Sequence, residues 1–174
     1  MGKFQDINAE AVKSRLLSNV EGSSNALVWQ ITKHVSSVFL GGTSNKHGND
    51  GGTNDPYTIF NVTGDVAVKA LVGIVNTNLA GAATLEVGVA SNTAKLLAQI
   101  ADTTNADDGD VYTDAGTEAN IDIWPAESLY FINDGADIIE TTGTTNITAG
   151  QIDYYCIWAP LEPGAFVASA AAVA

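Results

Sequence analysis

An antiparallel all-β sandwich or jelly roll, preceded by an N-terminal arm with a short helix, is the fold class this sequence predicts. Three observations point there. From residue 57 onward the apolar residues come in short runs of strand length, several with period-2 alternation. Turn-rich segments separate those runs at intervals of roughly 8–15 residues, as in sandwiches and jelly rolls. The chain is 45% hydrophobic and only 16% charged, so its polar surface is mostly Thr, Asn, Ser and Gly. Those residues suit turns and exposed strand faces better than helix interiors. A chain of 174 residues can bury about 70% of its unfolded surface in one core. One domain with appendages is therefore the expected organisation.

Residues 1–56 read as an arm and a glycine-rich loop. Asn8 can cap a short amphipathic helix over 8–20, in which Val12, Leu16, Leu17 and Val20 fall at helical spacing. Glu21-Gly22-Ser23-Ser24-Asn25 breaks the pattern. Over 26–40, Leu27, Trp29, Ile31 and Val35 alternate, while Leu27, Ile31, Val35 and Phe39 would also share a helical face; the β-branched content favours a strand. Residues 41–55 hold five glycines and no large apolar side chain, so a long loop is expected, mobile or ordered only by a partner.

The sandwich is expected over 57–164. Residues 65–75 are apolar on both faces apart from Lys69, as in a central strand covered on both sides. Residues 83–90 alternate, with Leu85, Val87 and Val89 on one face and Thr84, Glu86 and Gly88 on the other. Residues 96–101 fit a strand or a single helical turn. Further strands are expected at 111–113, 119–124, 128–133, 136–141 and 151–159. Residues 76–81, 103–109, 134–135 and 142–150 read as turns. Pro160, Pro163 and Gly164 end the last strand, and 165–174 form an uncharged tail that lies against a neighbouring subunit or frays.

Charge is distributed unevenly. All seven Lys and Arg residues fall within 1–95 beside seven of the twenty acids, so residues 96–174 carry the whole net charge of −13. A folded β region of one sign repels nucleic acid and anionic lipid, so neither is an expected partner. Cys156 is the only cysteine, which excludes an intrachain disulfide; its apolar run, 152–158, reads as the site of a buried inert thiol. No stretch reaches the ~20 apolar residues of a membrane helix, and the first residues lack the apolar core of an export signal. A soluble protein made in a cytoplasm is expected.

No constellation of reactive residues stands out. Asp107-Asp108-Gly109-Asp110 with Asp114 invites a calcium reading, but alignment on Gly109 places Ala106 and Ala115 at ligand positions, so the loop pattern fails. Asp122, Glu127, Asp137 and Glu140 are available for paired-carboxylate hydrolysis, yet nothing selects a pair; carboxylates alternating with apolar residues mark the wet faces of strands. His34 and His47 are the only histidines, His47 lies in the loosest loop, and no nucleophile elbow or zinc spacing accompanies them. Gly41-Gly42-Thr43-Ser44-Asn45-Lys46 lacks the ending of a phosphate loop. Asn61-Val62-Thr63 and Asn146-Ile147-Thr148 match a glycosylation pattern that has no meaning without secretion. Trp29, Trp124, Trp158, Tyr112, Tyr154 and Tyr155 would serve mostly as core or interface rather than as a sugar platform. No catalytic residue, metal site or cofactor is expected.

From Asn61 to Pro163 the chain resembles a family of small structural proteins of tailed bacteriophages. The resemblance rests on Asn61-Val62-Thr63-Gly64, Leu85-Glu86-Val87-Gly88-Val89-Ala90, Asn133-Asp134-Gly135-Ala136-Asp137-Ile138-Ile139 and Asn146-Ile147-Thr148-Ala149-Gly150. The last strand, Ile152-Asp153-Tyr154-Tyr155-Cys156-Ile157-Trp158 before Pro160-Leu161, fits as well. It implies a virion component, a decoration or cement protein bound to the major capsid protein, β-rich and homo-oligomeric, often a trimer. A tail or fibre component, or a carbohydrate-binding module for host glycans, is the alternative. The arm, with Lys3, Lys13, Arg15, Lys33 and Lys46, would dock on acidic patches of the shell. Deleting residues 1–25 is then expected to abolish capsid binding in a co-sedimentation assay while the far-ultraviolet spectrum of the sandwich persists; unchanged binding would rule the docking arm out.

Overall fold

The computed structural model describes residues 28–119 and 129–171. The helix expected over 8–20, and Asp122, Trp124 and Glu127, lie outside them. Among the described residues there are eleven strands: β1 Gln30–Val35, β2 Tyr57–Thr63, β3 Val66–Ala80, β4 Thr84–Val89, β5 Asn92–Ile100, β6 Asp110–Thr113, β7 Gly116–Ala119, β8 Tyr130–Ile132, β9 Ile138–Gly143, β10 Ala149–Pro160 and β11 Phe166–Ser169. A single 3₁₀ turn, Thr103–Asn105, is the one helical element among the described residues. The expected all-β class is thus observed.

The strands form two antiparallel sheets that share one core. The first runs β1-β10-β3-β6-β7, with β8 pairing the start of β3; the second runs β11-β2-β9-β4-β5. Most connections cross from one sheet to the other, so hydrogen-bonded neighbours are distant in sequence: Gln30 faces Trp158 and Val35 faces Asp153. The period-2 pattern decides which residues enter the core. In β4, Leu85 and Val87 are fully buried. From the facing sheet, Leu71, Tyr112, Ile152 and Tyr154 meet Phe60, Leu97 and Ile138 in the same cluster. Each such side chain contributes about 1.5–3 kcal/mol on burial. Cys156 lies in this layer with no exposure, and desolvation pushes its thiol up to about 12, so it is packing material.

Several expectations are corrected. Residues 76–80 are not a turn: β3 continues to Ala80 because β10 pairs along it, Gln151 facing Thr77 and Ala149 facing Ala80. Residues 92–100 form a full strand, the edge partner of β4. The C-terminal segment supplies β11, which pairs β2 with Val167 opposite Val62. Residues 30–35, expected within the arm, are an edge strand of the first sheet. The two termini of the described chain are tied across this edge, where Thr32 Oγ1 donates to the Val167 carbonyl at 3.0 Å.

The glycine-rich loop is held by its own chain rather than awaiting a partner. Gly41 N donates to Ile147 O and Ile147 N to Gly48 O, both at 2.8 Å, and Leu40 N donates to His47 O at 2.9 Å. Asp55 accepts from Thr142 N and Gly51 N, which anchors the far end of the loop. Glycine is required at the crossing. Gly48 has φ +86, and a Cβ there would sit 2.6 Å from the Ile147 oxygen; Gly51 has φ +66 with nothing within 4 Å. Gly51→Ala is expected to lose about 1–3 kcal/mol from backbone strain alone, and Gly48→Ala distinctly more. Urea denaturation of the two variants measures the difference, and equal losses would show that the close approach carries no weight.

Candidate functional site

A fully buried convergence of ionisable side chains lies inside the sandwich, where the loop, β9 and β10 meet. Glu140 sits on the inner face of β9, opposite Tyr57 on one side and Val87 on the other. Tyr154 reaches it from β10 in the facing sheet and donates its hydroxyl proton to the carboxylate. His47 descends from the loop, with Nε2 2.6 Å from Glu140 Oε1 and Nδ1 2.8 Å from the Ser37 carbonyl. Side-chain exposure is 2% for His47 and 1% for Glu140, so water has no access.

Both nitrogens of His47 face acceptors. A carbonyl can only accept, so Nδ1 carries a proton, and Nε2 must donate to the carboxylate; the imidazolium is the form that satisfies both. Phe39 stacks on the ring at 4.1 Å and Tyr57 closes the other side at 4.2 Å. Two aromatic faces around a desolvated cation add to its stabilisation. Burial opposes charge on His47, but the Glu140 carboxylate and the Ser37 carbonyl outweigh it and raise the group above its ordinary 6.5. Tyr154 is pushed well above its usual range by desolvation and then by Glu140, so its hydroxyl stays a donor.

His34, on the inner face of β1, behaves in the opposite way. Its Nδ1 lies 2.9 Å from Ser169 Oγ, and its Nε2 has no hydrogen-bond partner. Burial lowers its affinity for a proton, Glu140 and Asp153 offset this in part, and the net shift is below 6.5. It is a neutral core imidazole.

The placement corrects two readings of the sequence. His47 is not in a loose loop, and Glu140 is not on a wet strand face; together they form a buried ion pair. Asp137 is bonded to the Val62 amide and lies apart from it. In the acidic turn, Asp107 accepts from Asn78, Asp110 from the Asp107 amide and Asp102 from Thr104. No group of three His, Cys, Asp or Glu that could hold a metal occurs among the described residues. Tyr112, Tyr154 and Trp158 are core. Trp29 and Tyr155 reach the surface separately, each under a lysine: Lys69 lies 5.6 Å from Trp29, and Lys33 lies 5.3 Å from Tyr155. A shallow depression of about 350 Å³ between Thr53, Pro56, Tyr57, Asn61 and Ala170 holds no carboxylate, amine or imidazole.

The pair was signalled weakly. Strand alternation puts Glu140 on the same face as Ile138, but Ile139 is apolar too and blurs the pattern. Nothing in the sequence links His47 to it across more than ninety positions. No protein-family model, curated protein or solved structure matches this chain.

Chemically the cluster is a fastener. It ties the loop to both sheets and offers no opening to a substrate. His47 binds its proton more tightly in the folded than in the unfolded chain, so its stabilisation is complete below pH 6.5 and is lost as pH rises through the raised value. His34 binds its proton less tightly when folded, so stability is lost as pH falls through 6.5. Urea midpoints are therefore expected to decline on both sides of neutrality. Glu140→Gln is expected to flatten the alkaline limb and to lower stability at pH 6 by roughly 3 kcal/mol, while His34→Gln flattens the acid limb. A Glu140→Gln protein that kept the wild-type alkaline slope would exclude the pair as its source.

Proposed function

We propose that this chain is a non-enzymatic virion structural protein that decorates the outer surface of a bacteriophage capsid and ties neighbouring capsid subunits together. The resemblance over 61–163 supplies the class. The observation that carries the reading is the distribution of exposed apolar side chains. Among the described residues, six of the ten large ones lie in the short stretch 28–40: Val28, Trp29, Ile31, Val35, Val38 and Leu40. An apolar strip of this kind on a surface otherwise rich in carboxylates and amides marks a place of contact with protein. It is continuous with residues 1–27, the proposed docking arm, so the neutral N-terminal side would grip the major capsid protein while the acidic body faces solvent.

A jelly-roll topology belongs to the same proposal. The orders β1-β10-β3-β6 and β2-β9-β4-β5 in the two sheets suit a chain folded as two Greek keys. The sealed His47–Glu140 pair supports a structural role as well, since it ties the loop to β9, and Tyr154 bonds the same carboxylate from the facing sheet. Homo-oligomers, trimers by the resemblance, are part of the reading. Incubating the protein with emptied capsids and reconstructing the particles by electron microscopy is the test. Density on the outer face of the shell at symmetry-related positions is expected; density at the tail, or none, would overturn it.

A further inference from the structure

We propose that β1 and β11 form an acid-released latch, in which protonation of His34 frees the C-terminal strand and uncovers the edge of β2. The two strands are outermost in their own sheets, and a chain of side-chain bonds closes the sandwich between them. Trp158 Nε1 donates to Thr32 Oγ1 at 2.8 Å, and Thr32 Oγ1 donates to the Val167 carbonyl at 3.0 Å. Two residues further along β1, His34 Nδ1 lies 2.9 Å from Ser169 Oγ. That hydroxyl donates to the Ala170 carbonyl at 3.3 Å. Its one proton is thus committed, so His34 Nδ1 is the donor and Nε2 the bare acceptor.

A second proton on this ring has no counter-group. His34 is 1% exposed and its Nε2 has no hydrogen-bond partner. Tyr57 and Phe60 of β2 flank the ring, with centroids at 5.9 and 5.8 Å, and the Tyr57 hydroxyl is itself unpartnered. Burial disfavours a charge here and His47, from the loop, repels it; Glu140 on β9 and Asp153 on β10 attract it without reversing the balance. Those carboxylates are engaged already. Glu140 accepts from His47 and Tyr154, and Asp153 holds Lys33 on the outer face of β10. The protonated ring is an imidazolium unpaired in the core, which desolvation strongly disfavours.

Opening at β11 relieves that state with the least disruption. β11 is four residues long, pairs only with β2 and buries one side chain of its own, Val167. β1, in contrast, is paired with β10 from Gln30 to Val35, so His34 stays in place while its cover lifts. Short terminal segments with few buried contacts open well below the free energy of global unfolding. Water then reaches the imidazole, and residues 60–63 of β2 lose their strand partner. An edge freed in this way can take up an extended segment of another protein. The latch is independent of the capsid reading and its test uses the free chain, so either can fail alone.

Hydrogen exchange of the full-length protein, followed residue by residue by NMR and corrected for intrinsic rates, is measured from about pH 7.5 to about pH 5. The Ala170 amide, 3.0 Å from the Ile59 carbonyl, reports β11; the Thr103 amide, 2.9 Å from the Ala83 carbonyl, reports the core. Ala170 protection is expected to fall at least about tenfold across this range, the effect of one pK unit at one site. Thr103 should remain more protected than Ala170 at every pH. The His34 ring resonances should titrate below their ordinary 6.5 and over the same interval. In His34→Gln, Ala170 protection should no longer depend on pH. Constant Ala170 protection in the wild type would overturn the proposal, as would equal protection of the two amides or a His34 ring that stays neutral while β11 opens. A His34→Gln protein whose Ala170 amide kept the wild-type pH response would overturn it too.

Discussion

A carboxylate in the middle of an apolar core is the constraint around which the rest of this fold is arranged. An isolated buried charge costs several kcal/mol, and Glu140 is 1% exposed. Its needs account for structure that hydrophobic burial alone does not. The glycine-rich loop turns inward so that His47 can meet Oε1, and Phe39 and Tyr57 enclose the imidazole. Tyr154 must come from the opposite sheet to bond the other oxygen. The close backbone passage at Gly41, Gly48 and Ile147 follows, since it brings the loop within reach.

How much of this was legible in the sequence divides along local and non-local lines. Strand class, the core faces of β4 and β10, and the inert Cys156 were readable because each depends on alternation within a few residues. The extension of β3 through Asn76, Thr77 and Asn78 was not, because those three side chains are polar and exposed and look like a turn. What makes them a strand is β10, more than seventy residues away. The same holds for β11, where Phe166-Val167-Ala168-Ser169 is only four residues long, sits in a small, uncharged tail and fills the free edge of β2. A fold whose connections cross between sheets places its decisive contacts at long sequence separation, where a linear pattern carries little information.

The candidate site was hidden for the same reason and for one more. Glu140 and His47 are each ambiguous locally: one follows two isoleucines, the other sits among glycines and asparagines. Only their proximity reveals them. The surfaces were read more successfully, since the acids of 102–110 do lie on turns and bond to local amides and side chains. The lysines were expected to mark a docking arm. Lys33 instead lies in the edge strand β1, paired with Asp153 and resting over Tyr155.

The buried pair also accounts for something that its energy does not. Replacing such pairs with apolar residues often leaves stability unchanged or higher, so stability alone is a poor reason for Glu140 to be charged. Register is a better one. In β9 both Ile138 and Ile139 are buried, on opposite faces of the strand. A slip of one residue would exchange them at almost no hydrophobic cost, and period-2 alternation could not resist it. The same slip would carry Glu140 away from His47 and Tyr154, leaving an imidazolium unpaired in the core and the carboxylate on the far side of the sheet. The charge therefore penalises the alternative that the isoleucines permit. Because β9 lies between β2 and β4, setting its register sets the alignment of the second sheet against the first.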